Sequence, residues 1–224
     1  WDCEVIRNYA EENRGVYENI ALGAKWVFER EAEAIFLEDD NIPETGFFRY
    51  CAELLDRYRD DPRVLWVCGT NYLGDAHRAD GPDYSFTRHL LPCGWASWSE
   101  KFLRWYDFDL AVTDSATAIA STRRRYDDKR LWRQQFESVL AERRRRDRGH
   151  RYGSWDHHMA LTLRSTGMLG AVPARNQIRN VGADELSTHG GTSLEQVMTR
   201  RFCGMDSYPL EFPLRHPLAV APDP

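Results

Sequence analysis

Three consecutive carboxylates, Glu38, Asp39 and Asp40, close a short apolar run, Ala34 to Leu37. Adjacent carboxylates repel one another, so a cluster at a buried strand end calls for a cation. Oxygen-only donors select a hard ion, Mg²⁺ or Mn²⁺, and such an ion commonly bridges a protein to a diphosphate. The competing reading is a solvated acidic turn, with Asn41 and Pro43 as turn formers.

Three further stretches carry reactive or ligand-facing residue types. Gly94-Trp95-Ala96-Ser97-Trp98 joins small residues, which admit close approach of a ligand, to two indoles able to stack on a sugar face. The same pattern also fits two core tryptophans anchoring a helix start. Trp155-Asp156-His157-His158 sets a carboxylate among aromatic groups, where partial desolvation makes a general base; the plainer reading is an acid favoured by a helix dipole. The paired histidines fit surface, core or ligand roles alike. Asn180-Val181-Gly182 is followed by Ser187-Thr188-His189-Gly190, a small-residue loop whose histidine is available to a metal or a phosphate.

The elements that must position these groups follow from hydrophobic periodicity. Residues 2–7 read as a short strand. From 15 to 30, Val16, Ile20, Ala24 and Val27 recur at helical spacing, with Tyr17, Ala21 and Phe28 beside them. The run 34–38 suits a strand buried on both faces, and ligands gather outside the carboxyl ends of such strands. A second amphipathic helix spans roughly 44–59, and 64–68 is another buried strand. Strand, helix, strand, helix, strand predicts a parallel sheet with right-handed crossovers. Beyond it, 84–87 reads as a short strand and 94–107 as a loop entering a helix. A long polar helix covers 127–146, a further helix 154–166, and strands 169–173 and 177–181. The expected class is therefore α/β, a mainly parallel, Rossmann-like sheet flanked by helices over residues 1–192. A proline-containing tail, 193–224, is expected to be extended or poorly ordered.

Composition narrows the classes. The chain has 224 residues and a net charge of −5, which implies no general affinity for nucleic acid. The run Arg143–Arg146 reads as a solvated helix face rather than a phosphate patch. Five scattered cysteines with no CxxC pair exclude a disulfide framework and a zinc site, and a reducing, cytoplasmic setting is the simplest expectation. Cys3 and Cys68 lie in apolar runs and are expected in the core. No transmembrane stretch or signal-peptide pattern is visible. The start at Trp1, on a strand-like stretch without an initiator Met, leads us to expect that the first elements of the sheet are missing.

Taken in order, the acidic triplet, the Gly-Trp-Ala-Ser-Trp segment, Ser-Trp-Asp opening a helix, then Asn-Val-Gly and Thr-His form a set that resembles bacterial glycosyltransferases of the GT-A, nucleotide-diphospho-sugar type. Glu38-Asp39-Asp40 is similar to the acidic motif of N-acetylglucosaminyltransferase I. The similarity runs from Trp1 through His189, with Leu37–Pro43, Phe47-Phe48 and Arg57–Val64 especially family-like. The resemblance implies that Asp40 ligates Mn²⁺ or Mg²⁺ on the donor diphosphate, with His189 as a further metal or diphosphate group. Glu38, Asp39, Gly94, Trp95 and Trp98 would place the nucleotide sugar, and Asp156 would deprotonate the acceptor hydroxyl. It implies an inverting transfer to a glycan or lipid-linked acceptor in surface polysaccharide or glycoconjugate synthesis. In that type an upstream strand and loop hold the nucleotide base. A Mg²⁺-dependent phosphohydrolase would need a second carboxylate set, which is not found. The non-enzymatic alternative is a truncated or degenerate sugar-nucleotide-binding module.

Overall fold

A computed structural model describes residues 2–183 and 193–222. Residues 2–14 form no regular element and are exposed, so the strand expected at 2–7 is absent and Cys3 is exposed. Helix α1 is continuous but changes pitch: α-helical Gly15–Tyr17, a π-helical turn Glu18–Leu22, then α-helical Gly23–Phe28. Strand β1 is Glu33–Phe36, β2 Asn41–Pro43, and β3 Val64–Cys68. Between β2 and β3 lies α2, Thr45–Arg57. Its Phe47, Tyr50, Cys51, Leu54 and Leu55 are buried at spacings of one helical turn, which explains its place against the sheet.

Strand β4 is Tyr84–Thr87 and β5 Trp95–Trp98, followed directly by α3, Ser99–Trp105. A 3₁₀ turn at Ala111–Asp114 leads to α4, Ala116–Arg123, capped by Ser115. Helix α5 is Lys129–Asp147, its Asp128 side chain accepting from the Arg130 and Leu131 amides. Helix α6, Asp156–Thr166, stops at Gly167, whose φ of 78° suits a left-handed C-terminal cap. Strands β6, Leu169–Pro173, and β7, Ile178–Asn180, precede α7, Val197–Cys203.

The main sheet has the order β1-β5-β3-β6-β4, and β2 pairs with β7 in a separate ribbon. Only β3 and β6 are parallel neighbours; β1·β5, β3·β5 and β4·β6 are antiparallel. The α/β class is as expected, but the sheet is mixed rather than mainly parallel. The cause is β5. Trp95 and Trp98 lie three residues apart, one helical turn if the segment were a helix start. In a strand the same spacing sends one indole to each face. Trp95 enters one core and Trp98 the other, so the segment pays for insertion antiparallel between β1 and β3. Strand β1 lies at the edge of the sheet, half-buried instead of covered on both faces.

One core, holding Phe28, Trp66, Trp95, Phe102, Trp155 and Met159, lies between the sheet and α1, α3 and α6. The other gathers Phe47, Leu54, Tyr84, Phe86 and Trp98. Leu210 and Leu214 from the extended chain after α7 join this second core, with Phe212 packed against it. Residues 210, 212 and 214 alternate as an extended segment requires, so this part of the chain is extended yet packed. No helix among the described residues is long and apolar enough to cross a membrane.

Candidate functional site

The acidic triplet forms the turn between β1 and β2, closed by Asn41 N–H donating to Glu38 O at 3.1 Å. Glu38 and Asp40 are half-buried and Asp39 is exposed. Asn41 donates its Nδ2 to Asp40 Oδ1, while its own Oδ1 is buried without a partner among the described residues. On the other side Asp40 rests against Gly182: a Cβ built there would stand 3.1 Å from Asp40 Cγ and closer still to Oδ2. The carboxylate is thus fixed between a side-chain amide and a bare backbone, which the β2·β7 pairing brings opposite one another, Asn41 facing Asn180.

Asp156 occupies the first residue of α6 and accepts from Ser154 Oγ, whose oxygen also accepts from the His157 amide at 3.3 Å. The structure brings Asp156 into the field of the acidic turn. Glu38 is pushed up to about 7, first by burial, then by Asp40, Asp156 and Asp39. Every one of these influences disfavours its charge.

A stack of aromatic rings sets this juxtaposition. Phe36, two residues before Glu38, stacks on Trp95 at 4.0 Å between centroids; Trp95 stacks on Trp66 at 4.1 Å. Trp155, adjacent to Asp156, closes the row at 5.8 Å from Trp95 and 5.9 Å from Trp66. The rings link the end of β1 to the start of α6 through β5 and β3. Tyr106 Oη adds a hydrogen bond to the Trp155 carbonyl at 3.0 Å.

This stack corrects the expectation for the tryptophans. Trp95 is 1% exposed with both ring faces covered. Trp98 is 3% exposed, donates Nε1 to Leu55 O at 2.9 Å, and has Lys101 Nζ 3.8 Å from its ring centroid. Neither presents an open face to a sugar: Trp95 supports the site from beneath, and Trp98 fixes β5 against α2 in the other core. Gly94 has a steric role: its φ is 63°, and a Cβ there would meet Ile178 Cγ1 at 2.6 Å. It lets β7 close against the end of β1. His158 is a core residue, its Nδ1 2.8 Å from Asp107 O, with burial holding its pKa below the usual range. His189 lies outside the described residues.

Three residues near the acids, Tyr72, Cys93 and Cys203, escaped the sequence reading. Asn180 Nδ2 lies 3.6 Å from Cys93 Sγ. Burial, then Glu38 and Asp40, push the Cys93 thiol up to about 12, so it forms an inert wall. Tyr72 is likewise raised by burial and then by Cys93, and packs edge-on against Phe202 of α7 at 4.9 Å. Cys203, at the end of α7, is raised by burial and then by Asp40. The Asn-Val-Gly signal pointed at β7, but nothing local in the sequence marks residues 72, 93 and 203 as neighbours.

Among the described residues no three His, Cys, Asp or Glu side chains converge as a preformed metal cage. The donor set still fits a hard divalent ion: carboxylates at Asp40, Asp39 and Glu38, and the unpartnered amide oxygen of Asn41. Mg²⁺-type ions are typically held by one or two carboxylates, with water and substrate phosphates completing the shell. Two cavities, of about 260 Å³ beside α1 and about 460 Å³ beside β2 and β7, are not lined by these carboxylates. No protein-family model and no curated protein matches the chain.

Proposed function

We propose that this chain is an inverting, metal-assisted glycosyltransferase that moves a sugar from a nucleotide-diphosphate donor to an acceptor hydroxyl. The observation that carries the reading is the row of stacked rings, Phe36, Trp95, Trp66 and Trp155, that links the Glu38–Asp40 turn to Asp156 at the head of α6. In this reading Asp40, oriented by Asn41 and Gly182, would hold Mn²⁺ or Mg²⁺, with Asp39 and Glu38 placing the donor. A bound ion supplies Lewis-acid stabilisation of the charge growing on the departing diphosphate.

Asp156 is the base. Ser154 engages its Oδ1 and fixes the carboxylate, which takes the proton of the acceptor hydroxyl. The acceptor oxygen then bonds to the anomeric carbon as the bond from that carbon to the diphosphate oxygen breaks. One displacement of this kind inverts the centre; a covalent route would need a second, nucleophilic carboxylate, by analogy with glycosidases. Surface polysaccharide or glycoconjugate synthesis is the setting that the sequence resemblance favours.

The test is release of nucleoside diphosphate from a panel of UDP- and GDP-sugars, with mixed glycan acceptors. Asp156→Asn should keep donor binding and lose at least ~100-fold in turnover, the lower end of general-base contributions. Near-normal turnover in Asp156→Asn would remove the base assignment. Donor binding without any turnover in the wild-type chain would favour a sugar-nucleotide-binding module.

A further inference from the structure

We infer that the cavity beside α1 binds a small organic anion, a single ring carrying one carboxylate or phosphate group. The cavity is about 260 Å³ and lies between α1, the end of α5 and the loops after α3 and α5. That volume falls just under the range of drug-sized pockets, which suits one ring rather than two. Its floor is aromatic, formed by Tyr17, Phe108 and Tyr152. Both tyrosine hydroxyls are spent on backbone: Tyr17 Oη donates to Phe108 O at 2.8 Å, and Tyr152 Oη to Asp109 O at 3.2 Å. The floor therefore offers ring surface and keeps no hydroxyl proton for a ligand. Charge stands at the rim. Arg151 is taken, with Glu12 at 2.7 Å and Glu18 at 3.4 Å. Lys25 and Arg146 pair with no carboxylate among the described residues, and each lies over a ring instead. Lys25 Nζ is 5.5 Å from the Phe108 centroid, and the Arg146 guanidinium carbon 5.6 Å from that of Tyr152. Against these two cations stands one lining acid without an ion pair among the described residues, Asp109. A cationic ligand would meet two like charges, whereas a carboxylate or phosphate gains charge-assisted hydrogen bonds.

The π-helical turn of α1 shapes this cavity. Tyr17 and Leu22, five residues apart, both line it. An α-helix would set them about 140° apart around its axis. A π turn, with its i to i+5 spacing, brings them to one side. No proline in Glu18–Leu22 imposes that turn, and π turns inside α-helices are rare and frequent at functional sites. Tyr17 and Tyr152 also pack on His158 of α6, at 4.7 and 4.5 Å between centroids, so an occupant would rest on the core beneath that helix. The acidic turn and Asp156 contribute nothing to the lining, so the test does not depend on the glycosyltransferase reading.

The experiment is a saturation-transfer NMR titration of the full chain with four one-ring probes: benzoate, phenyl phosphate, benzamide and benzylamine. Inorganic phosphate is added as a competitor. Benzoate or phenyl phosphate is expected to bind with a Kd of about 1 mM or below, and the stronger of the two identifies the anion. The neutral amide and the amine should bind at least about 10-fold more weakly. Lys25→Gln with Arg146→Gln should weaken the anion about 10-fold and leave the melting temperature unchanged, since neither side chain has an ion pair to lose. Leu22→Trp, at a position 40% exposed, should close the cavity and remove binding without unfolding the chain. Arg130→Gln with Arg133→Gln, at the other end of α5, should leave binding intact. The inference is overturned if neither anion binds up to about 10 mM, a strength no better than free solvent contact. It is also overturned if benzamide or benzylamine binds as well as the anions, if inorganic phosphate competes as strongly as phenyl phosphate, or if both cavity variants bind like wild type.

Discussion

Replacing Gly182 by alanine tests whether Asp40 is held where a ligand needs it. The φ of Gly182 is outside the left-handed region, so alanine is tolerated by the backbone. The new methyl would lie 3.1 Å from Asp40 Cγ and 3.2 Å from its Cβ, and well inside contact with Oδ2. The carboxylate has to retreat by about 1 Å to regain ordinary contact. A hard cation holds its oxygen ligands at about 2.0–2.1 Å with little tolerance, so that shift removes Asp40 as a ligand. Displaced orienting partners at metal sites typically cost 10–100-fold in affinity, and the same loss is expected in Mn²⁺-dependent nucleotide binding. Stability should move by less than about 1 kcal/mol, because the strain relaxes at the tip of a side chain and Gly→Ala itself reduces unfolded-state entropy. The assay is titration of UDP and GDP into wild type and variant at saturating Mn²⁺, beside thermal melts. Unchanged affinity in the variant would refute the reasoning. So would a stability loss above about 3 kcal/mol, which would show that the clash is borne by the backbone.

Three other outcomes follow from the packing. Trp95→Ala removes the centre of the aromatic row and should cost about 3–5 kcal/mol in denaturant unfolding, with loss of nucleotide binding in the fraction that remains folded. Lys101 donates to the carbonyls of Tyr58, Asp61 and Val64 at 2.6, 2.8 and 2.9 Å, so Lys101→Met should destabilise by about 2–4 kcal/mol in the same measurement. His158 is held neutral by burial, against Tyr17, Tyr106 and Tyr152, with its Nδ1 on the Asp107 carbonyl. Its folded pKa lies below its unfolded value, so the unfolded chain binds the extra proton first. Stability should fall as pH drops through about 6.5, and His158→Gln should flatten that slope in unfolding curves from pH 7.5 to 5.

Local chemistry was readable where it depends on neighbours in sequence. The acidic triplet, Asp156 beside Trp155, and the helices around residues 15–28, 45–57 and 129–147 all announce themselves through composition and periodicity. What escaped is set by pairing across the chain. Trp95–Trp98 looks like a helix approach until β1 and β3 are known to flank it, and then only a strand satisfies both cores. That insertion, with the antiparallel pairing of β4 on β6, makes the sheet mixed where a mainly parallel one was expected. Asn41 reads as a turn former, yet its amide orients Asp40. Tyr72, Cys93 and Cys203 meet near the acids although they are far apart in the chain, and no spacing rule links them. Leu210, Phe212 and Leu214 sit between prolines that break periodicity, which hid their packing in the second core.

The central claim is that the Glu38–Asp40 turn and Asp156 together serve a nucleotide-diphosphate donor bound through a divalent ion. Isothermal titration of UDP and of GDP into the protein, first with Mn²⁺ and then with chelator, addresses it most directly. The account predicts saturable binding of one of the two nucleotides with Mn²⁺, abolished by chelator and by Asp40→Ala. Failure of both nucleotides to bind, or binding indifferent to Mn²⁺ and to Asp40→Ala, would contradict it and leave the acidic triplet as a solvated turn.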